Sequence, residues 1–280
     1  MQEVAGTVAV ITGGASGIGR GMAEVFGAAG MTVVLADVDE ARVAETARAL
    51  EKAGVSVLSF RTDVAKPSDV EALAQRALDA FGAVHVVCNN AGVAYGGLPT
   101  WESTLHDWQW VVGVNLMGVV HGVRSFTPIL LAQGEGHIVN TASIAGLVTS
   151  TGNALYGVTK HAVVALSEAL FNELSVRAPG VHVSVLCPGL INTEIFRSSE
   201  RNQPEIVRSR RANLYASEEA RQFQALLARA LSPAVVGEAV LSAIRAERFW
   251  IRTNPELEPA VRRRCENVLE QRDPRVSRRA

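Results

Sequence analysis

Six short apolar runs alternate with segments of helical periodicity along the first 190 residues. The runs are TVAVIT (7–12), TVVLAD (32–37), VSVLSF (55–60), AVHVVCNN (83–90), HIVNTAS (137–143) and VHVSVLCPG (181–189). Between them lie SGIGRGMAEVFGAAG, ending at Gly30, and DEARVAETARALEKAG, ending at Gly54, with Asp39 as a candidate N-cap. SDVEALAQRALDAFG follows, where Ser68 and Glu71 suit a capping box. Long helical patterns then cover about 102–130 and 154–177. None of the runs alternates cleanly between apolar and polar residues, which is the pattern of strands covered on both faces and hence of a parallel sheet. No composition break separates the units, so they are expected to form one doubly wound α/β domain over 1–280. RFWI (248–251) supplies a further strand, giving about seven, with helices on both faces.

Other features narrow the function classes. With 48% apolar residues the chain can bury a large core, and its formal net charge of −1 provides no basic footprint for nucleic acid or an anionic membrane. Cys88 and Cys187 end apolar runs and are expected in the core; with Cys265 they form neither a disulfide framework nor a metal-ligand spacing, so no metal is expected. The start has no leader pattern and no run of about 18 apolar residues occurs, so a cytoplasmic protein is expected.

Residues 195–231 break the rhythm, being polar, basic in the first half and helical in pattern in the second. They follow a strand's carboxyl end, where open α/β sheets bind ligands, and are expected to form a helical lid over the substrate. The extension 256–280 carries Arg262, Arg263, Arg264, Arg272, Arg275, Arg278 and Arg279, and reads as a frayed or interface-docked terminus.

The first strand–helix junction, ITGGASGIGRG, places Gly13, Gly17 and Gly19 where a phosphate could approach the backbone and the free N–H groups of a helix start. Asp37 ends the second strand, eighteen residues beyond Gly19. A carboxylate there can accept from a ribose diol and would repel a 2′-phosphate by about 1–4 kcal/mol, which favours NAD over NADP. Arg20, on the first helical turn, is expected to face solvent. Asp63 follows the third strand, and NNAG (89–92) ends the fourth with another close-approach glycine. In ALYGVTKHAVVAL, Tyr156 and Lys160 lie four residues apart on one face of an otherwise apolar helix. Burying a lysine is costly, so a chemical gain is expected from it.

With these motifs in order, the chain resembles the short-chain dehydrogenase/reductase superfamily, with its Rossmann-type fold. TGxxxGxG matches Thr12 to Gly19, NNAG matches 89–92, the helix-four Asn matches Asn115, the catalytic Ser matches Ser143, YxxxK matches Tyr156 and Lys160, and PG followed by Thr matches Pro188, Gly189 and Thr193. The resemblance implies catalytic Ser143, Tyr156, Lys160 and Asn115. It also implies NAD contacts from Gly13, Ser16, Gly17, Ile18, Gly19, Asp37, Asp63, Val64, Asn90, Ala91, Gly92, Tyr156, Lys160, Pro188, Gly189, Ile191 and Thr193. Asn115 would fix a water linking Lys160 to solvent, and the assembly would be a homotetramer or homodimer through the helices at 102–130 and 154–177.

The chemistry expected is hydride transfer between a secondary alcohol or ketone and nicotinamide. A free phenol titrates near about 10, and an ammonium one helical turn away, together with the positive charge of oxidised nicotinamide, is expected to lower the Tyr156 value so that it can act as acid and base. Ser143 would hold the substrate oxygen beside the phenol. Val93, Tyr95, Leu98, Ile144, Leu147 and Val148 make the candidate substrate segments mostly apolar, and Arg197 and Arg201 could approach from the lid. A hydrophobic, aromatic or alicyclic substrate is therefore expected. A 3-oxoacyl or steroid-type ketone reductase and a non-catalytic dinucleotide sensor are the alternatives; an epimerase fits less well, for want of a separate sugar-binding domain.

Overall fold

The computed structural model describes residues 1–207 and 218–274. A seven-stranded parallel sheet of order β3-β2-β1-β4-β5-β6-β7 forms its centre. The elements run β1 (Val8–Thr12), α1 (Gly17–Ala28), β2 (Thr32–Asp37), α2 (Glu40–Lys52), β3 (Val57–Arg61), α3 (Pro67–Phe81), β4 (Val86–Asn89) and α4 (Leu105–Val112). A π turn (Gly113–Met117) leads into α5 (Gly118–Gln133), β5 (Gly136–Thr141), α6 (Ala154–Arg177), β6 (Val181–Cys187) and α7 (Ile195–Asn202). Then come α8 (Glu218–Ala228), α9 (Pro233–Arg245), β7 (Trp250–Arg252) and α10 (Glu258–Leu269).

The register explains why the apolar runs do not alternate. Ala9 and Ile11 of β1, with Val33 and Leu35 of β2, face one core that contains Met22, Phe26, Val240 and Ile244 from α1 and α9. Val10 and Val34, one residue out of step, face a second core with Leu73, Phe126 and Leu130 from α3 and α5. Successive strand residues point to opposite faces, so a strand covered twice must be apolar throughout. Each large side chain fully buried this way stabilises the fold by about 1.5–3 kcal/mol. The chain order reverses between β1 and β4, and the strand ends diverge there to leave a crevice.

Local differences from the sequence reading have physical causes. Helix α3 starts at Pro67 with Lys66 as cap residue, so Ser68 and Glu71 form no capping box. Proline lacks an N–H and has its φ preset, which suits the first helical position, and Asp69 Oδ2 accepts instead from Asp63 N at 3.1 Å. Asp39 does cap α2, accepting from Arg42 N at 3.2 Å. Arg20 is half-exposed, paired with Glu24. The 102–130 pattern is a 3₁₀ turn, α4, the π turn and α5 in succession. Residues 105–133 are long and apolar enough to cross a membrane by length and composition, with mean hydropathy 1.2, yet α5 packs on β4, β5 and α3. Helix α7 falls in the basic first half of 195–231, and α8 in the half with the helical pattern. Part of the basic stretch, 208–217, lies outside the described residues, as do Arg275, Arg278 and Arg279. Cys88 and Cys187 are buried and Cys265 is exposed.

Candidate functional site

The carboxyl ends of the strands open onto a cleft of about 430 Å³. At one end the β1–α1 turn brings main chain to its wall. Gly13 has φ 69°, and a Cβ there would lie 2.8 Å from Ala91 Cα. Gly17 has φ 52° and faces Thr193. Ser16 precedes α1 without a capping hydrogen bond, and the first turn of α1 carries no acidic side chain, so the helix start faces the cleft with its N–H groups free of side-chain partners. Thr12 locks the neighbouring strand end: its Oγ1 accepts from Asn90 N at 2.9 Å and Ala91 N at 3.1 Å, and its carbonyl accepts from Asn90 Nδ2 at 2.9 Å.

Beside this turn, Asp37 accepts from Ala15 N and Asp39 N, each at 3.1 Å. Burial raises its pKa, and the backbone hydrogen bonds oppose that rise. Asp63 lines the cleft next to Val64 and accepts from Ala65 N at 3.1 Å. Glycines that admit no Cβ, a helix start and a carboxylate at the adjacent strand end fit a dinucleotide: Gly13, Ser16, Gly17 and Ile18 for the phosphates, Asp37 for a ribose diol, Asp63 and Val64 for the base.

At the other end, Tyr156 and Lys160 project from α6. The Tyr156 hydroxyl hydrogen-bonds Ser143, which follows β5. Lys160 is 3% exposed; its Nζ donates to Thr141 O at 2.9 Å and lies 5.6 Å from the centre of the Tyr156 ring. Burial lowers the Lys160 pKa to about 8. The Tyr156 pKa is raised, because desolvation outweighs the Ser143 hydrogen bond. In the protein alone, without the nicotinamide charge, burial therefore disfavours phenolate, and the Lys160 ammonium is aimed at the Thr141 carbonyl. Ser143 Oγ also accepts from Ala145 N at 3.1 Å and donates to Pro188 O at 3.5 Å.

Asn115 sits in the π turn, where Gly118 N donates five residues back to Gly113 O. Its fully buried side chain accepts from Val93 N at 2.7 Å and donates to Val93 O at 3.0 Å. The amide binds main chain, tying the segment after NNAG to the helix. A Cβ on Gly92 would come within 3.3 Å of Asn115 Oδ1 and 3.6 Å of Lys160 Nζ, so glycine there allows all three to converge.

Most of the expected contact residues line this one cleft: Gly13, Ser16, Gly17, Ile18, Asp37, Asp63, Val64, Asn90, Ala91, Gly92, Tyr156, Lys160, Pro188 and Thr193. Gly19 lies behind, packed on the Gly13 carbonyl, and Ile191 is turned into the core. Ser143, Asn115 and Gly189 stand just outside the wall. Val93 reaches the cleft with Trp110 and Val114, while Tyr95 packs in a cluster with Val111 and Leu155 behind it. Arg201 of α7 lines the cleft, whereas Arg197 lines a separate cavity of about 330 Å³ beside Gly17.

Three supporting residues escaped the sequence reading. Thr12 was seen only as the edge of a motif. Ser199 of α7, 1% exposed, accepts from Ala94 N at 2.8 Å and pins the helix to the loop after β4. Asn254, beyond β7, accepts from Gly189 N at 3.0 Å. A Ser in a polar helix and an Asn after a strand carry no local signal; only their distant partners distinguish them.

The family model for short chain dehydrogenases matches residues 7–204. A Lactiplantibacillus plantarum protein, "CLA biosynthesis dehydrogenase/reductase", is 31% identical over 96% of this chain and 95% of its own length. A Streptomyces exfoliatus 1-deoxy-11-beta-hydroxypentalenate dehydrogenase is 42% identical over 68% of this chain and 69% of its own. Among solved structures, a short-chain dehydrogenase/reductase from Burkholderia phymatum in complex with NAD superposes with a TM-score of 0.94 at 45% identity, covering both chains in full.

Proposed function

This chain belongs to the short-chain dehydrogenase/reductase superfamily, and from that premise we propose an NAD-dependent alcohol dehydrogenase in which Tyr156 is the acid and base. The carrying observation is the Tyr156 hydroxyl, hydrogen-bonded to Ser143 with the Lys160 ammonium beside its ring, at the mouth of a cleft whose far end fits a dinucleotide. Bound nicotinamide supplies the hydride acceptor in oxidation and the donor in reduction. Ser143 hydrogen-bonds the substrate oxygen and holds it against Tyr156. In oxidation the Tyr156 oxygen takes the hydroxyl proton; in reduction it returns one to the carbonyl oxygen. The Lys160 charge, together with that of oxidised nicotinamide when bound, would offset the burial that disfavours phenolate in the protein alone. Asn115 keeps the Val93 backbone in place beneath the reacting atoms.

A hydrophobic secondary alcohol is the substrate class favoured by Val93, Trp110 and Val114 at the wall, and the hydroxypentalenate dehydrogenase relative agrees with it. Helix α7, within 195–231, acts as its lid, an assignment supported by Ile195, Ser198 and Arg201 along the opening. NAD is preferred because Asp37 occupies the ribose end, in keeping with the NAD-bound neighbour. Assembly as a homotetramer or homodimer belongs to the same reading; the exposed apolar side chains Leu131 of α5 and Val158 and Val176 of α6 support it.

The deciding experiment is Tyr156→Phe, read by NADH fluorescence titration and by turnover over a panel of alcohols. Turnover should fall about a hundred- to ten-thousandfold while NADH binding persists. Near-normal turnover would remove Tyr156 from the reaction, and wild-type binding without turnover on any alcohol would favour a sensor. Side-by-side kcat/KM values should favour NAD over NADP by at least about tenfold, and equality would discard the ribose argument.

A further inference from the structure

Among the described residues lining the cleft, the cations are Arg42, Lys160 and Arg201. Lys160 belongs to the reacting end, and the other two meet a single carboxylate. Glu194, immediately after Thr193, accepts from Arg42 Nη2 at 2.8 Å and lies 3.9 Å from Arg201 Nη2, in both cases through Oε2. Arg42 is close to the ribose end: its backbone N–H donates to Asp39, whose own N–H donates to Asp37. A guanidinium carried on that first turn of α2 is long enough to reach a group beside Asp37, and it is the side chain best suited to a phosphate. It pairs instead with Glu194, which lines the neighbouring cavity of about 330 Å³.

We infer that Glu194 is a specificity-determining residue for the dinucleotide: by pairing Arg42, it withholds the cation that would otherwise attract a 2′-phosphate. On this account, which rests on the dinucleotide-binding reading above, discrimination has two layers. Asp37 repels the 2′-phosphate directly, and Glu194, contributed by the segment that leads into the lid, neutralises the nearby arginine. The pair is about half-exposed, with side-chain exposures of 35% and 44%, so its influence is graded.

The test is Glu194→Gln in the full-length protein, with NADH and NADPH dissociation constants measured by fluorescence at one fixed ionic strength. The substitution keeps the side chain's shape at a solvent-exposed position, and circular dichroism and thermal melting establish that the fold is retained. NADPH binding should tighten about three- to tenfold while NADH changes by less than about twofold. The gain should disappear in the double variant Glu194→Gln, Arg42→Ala. An unchanged NADH-to-NADPH ratio in Glu194→Gln overturns the inference, as does a gain undiminished when Arg42 is removed. Wild-type protein that binds neither dinucleotide would break the underlying reading instead, an outcome distinct from these.

Discussion

At the β1–α1 turn the cleft wall is main chain: Gly13 and Gly17 at positive φ, the opening N–H groups of α1, and Thr12 bonded to backbone atoms of the next strand. Along the lid and the loop after β4 the same cleft is held by single side chains that reach across the fold, Ser199 to Ala94 and Asn115 to Val93. Backbone placed by strand register tolerates almost no added atom, because the surrounding strands cannot yield independently. Contacts made by one hydroxyl or amide can be lost one at a time. The first construction suits a ligand part of fixed shape, the second a pocket whose wall can be adjusted residue by residue.

The sharpest way to break this comparison is to add one methyl group at the main-chain end. A Cβ on Gly19 would overlap the Gly13 carbonyl and come within 2.8 Å of Asn90 Nδ2. One obstacle is the turn's own carbonyl and the other is the Asn90 amide that is bonded to Thr12, so relief requires moving the turn itself. Gly19→Ala should weaken NADH binding at least tenfold and destabilise the fold by about 1–3 kcal/mol, read by fluorescence titration and denaturant unfolding. Unaltered NADH affinity would mean that the turn is as adjustable as the lid.

Ser199→Ala examines the other construction. It leaves the buried Ala94 N–H without its acceptor, a loss of about 1–3 kcal/mol. The effect should fall on the substrate side: KM for the alcohol rises several-fold while the NADH dissociation constant stays within about twofold. Equal losses in both would show that α7 supports the two ends alike, and the contrast would fail.

The same contrast governs what could be read from the chain alone. The sheet, its order of elements and the glycine turn were legible because each depends on local rules: a run apolar on both faces, glycines where φ is positive, Asp39 capping α2 three residues before Arg42. Tyr156 and Lys160 were legible as a pair because one helix carries both. The direction of the Tyr156 shift was not, since it depends on how much water the fold removes from the phenol and on Thr141 drawing the Lys160 ammonium aside. The capping box at Ser68 failed for a smaller reason, an adjacent proline with a stronger claim to the first helical position. Ser199 and Asn254 were invisible because their partners lie 105 and 65 residues away.

Asn254 stands between the two constructions and should give the smallest effect. Its side chain accepts from Gly189 N at 3.0 Å, and Gly189 has no room for a Cβ, which would lie 2.6 Å from Asn254 Cγ. The residues following β7 therefore brace the Pro188–Gly189 turn, where Pro188 lines the cleft and accepts from Ser143. The Gly189 N–H is only partly buried, so water can replace the lost acceptor and the cost should stay near about 1 kcal/mol. Because Pro188 faces the cleft and Ser143 supports Tyr156, Asn254→Ala should lower kcat/KM two- to fivefold with NAD varied and, to a similar extent, with alcohol varied. If only one of the two changes, Gly189 belongs wholly to that end; if neither does, Asn254 serves only its neighbours Thr253 and Glu256 and its hydrogen bond to the turn is incidental to the site.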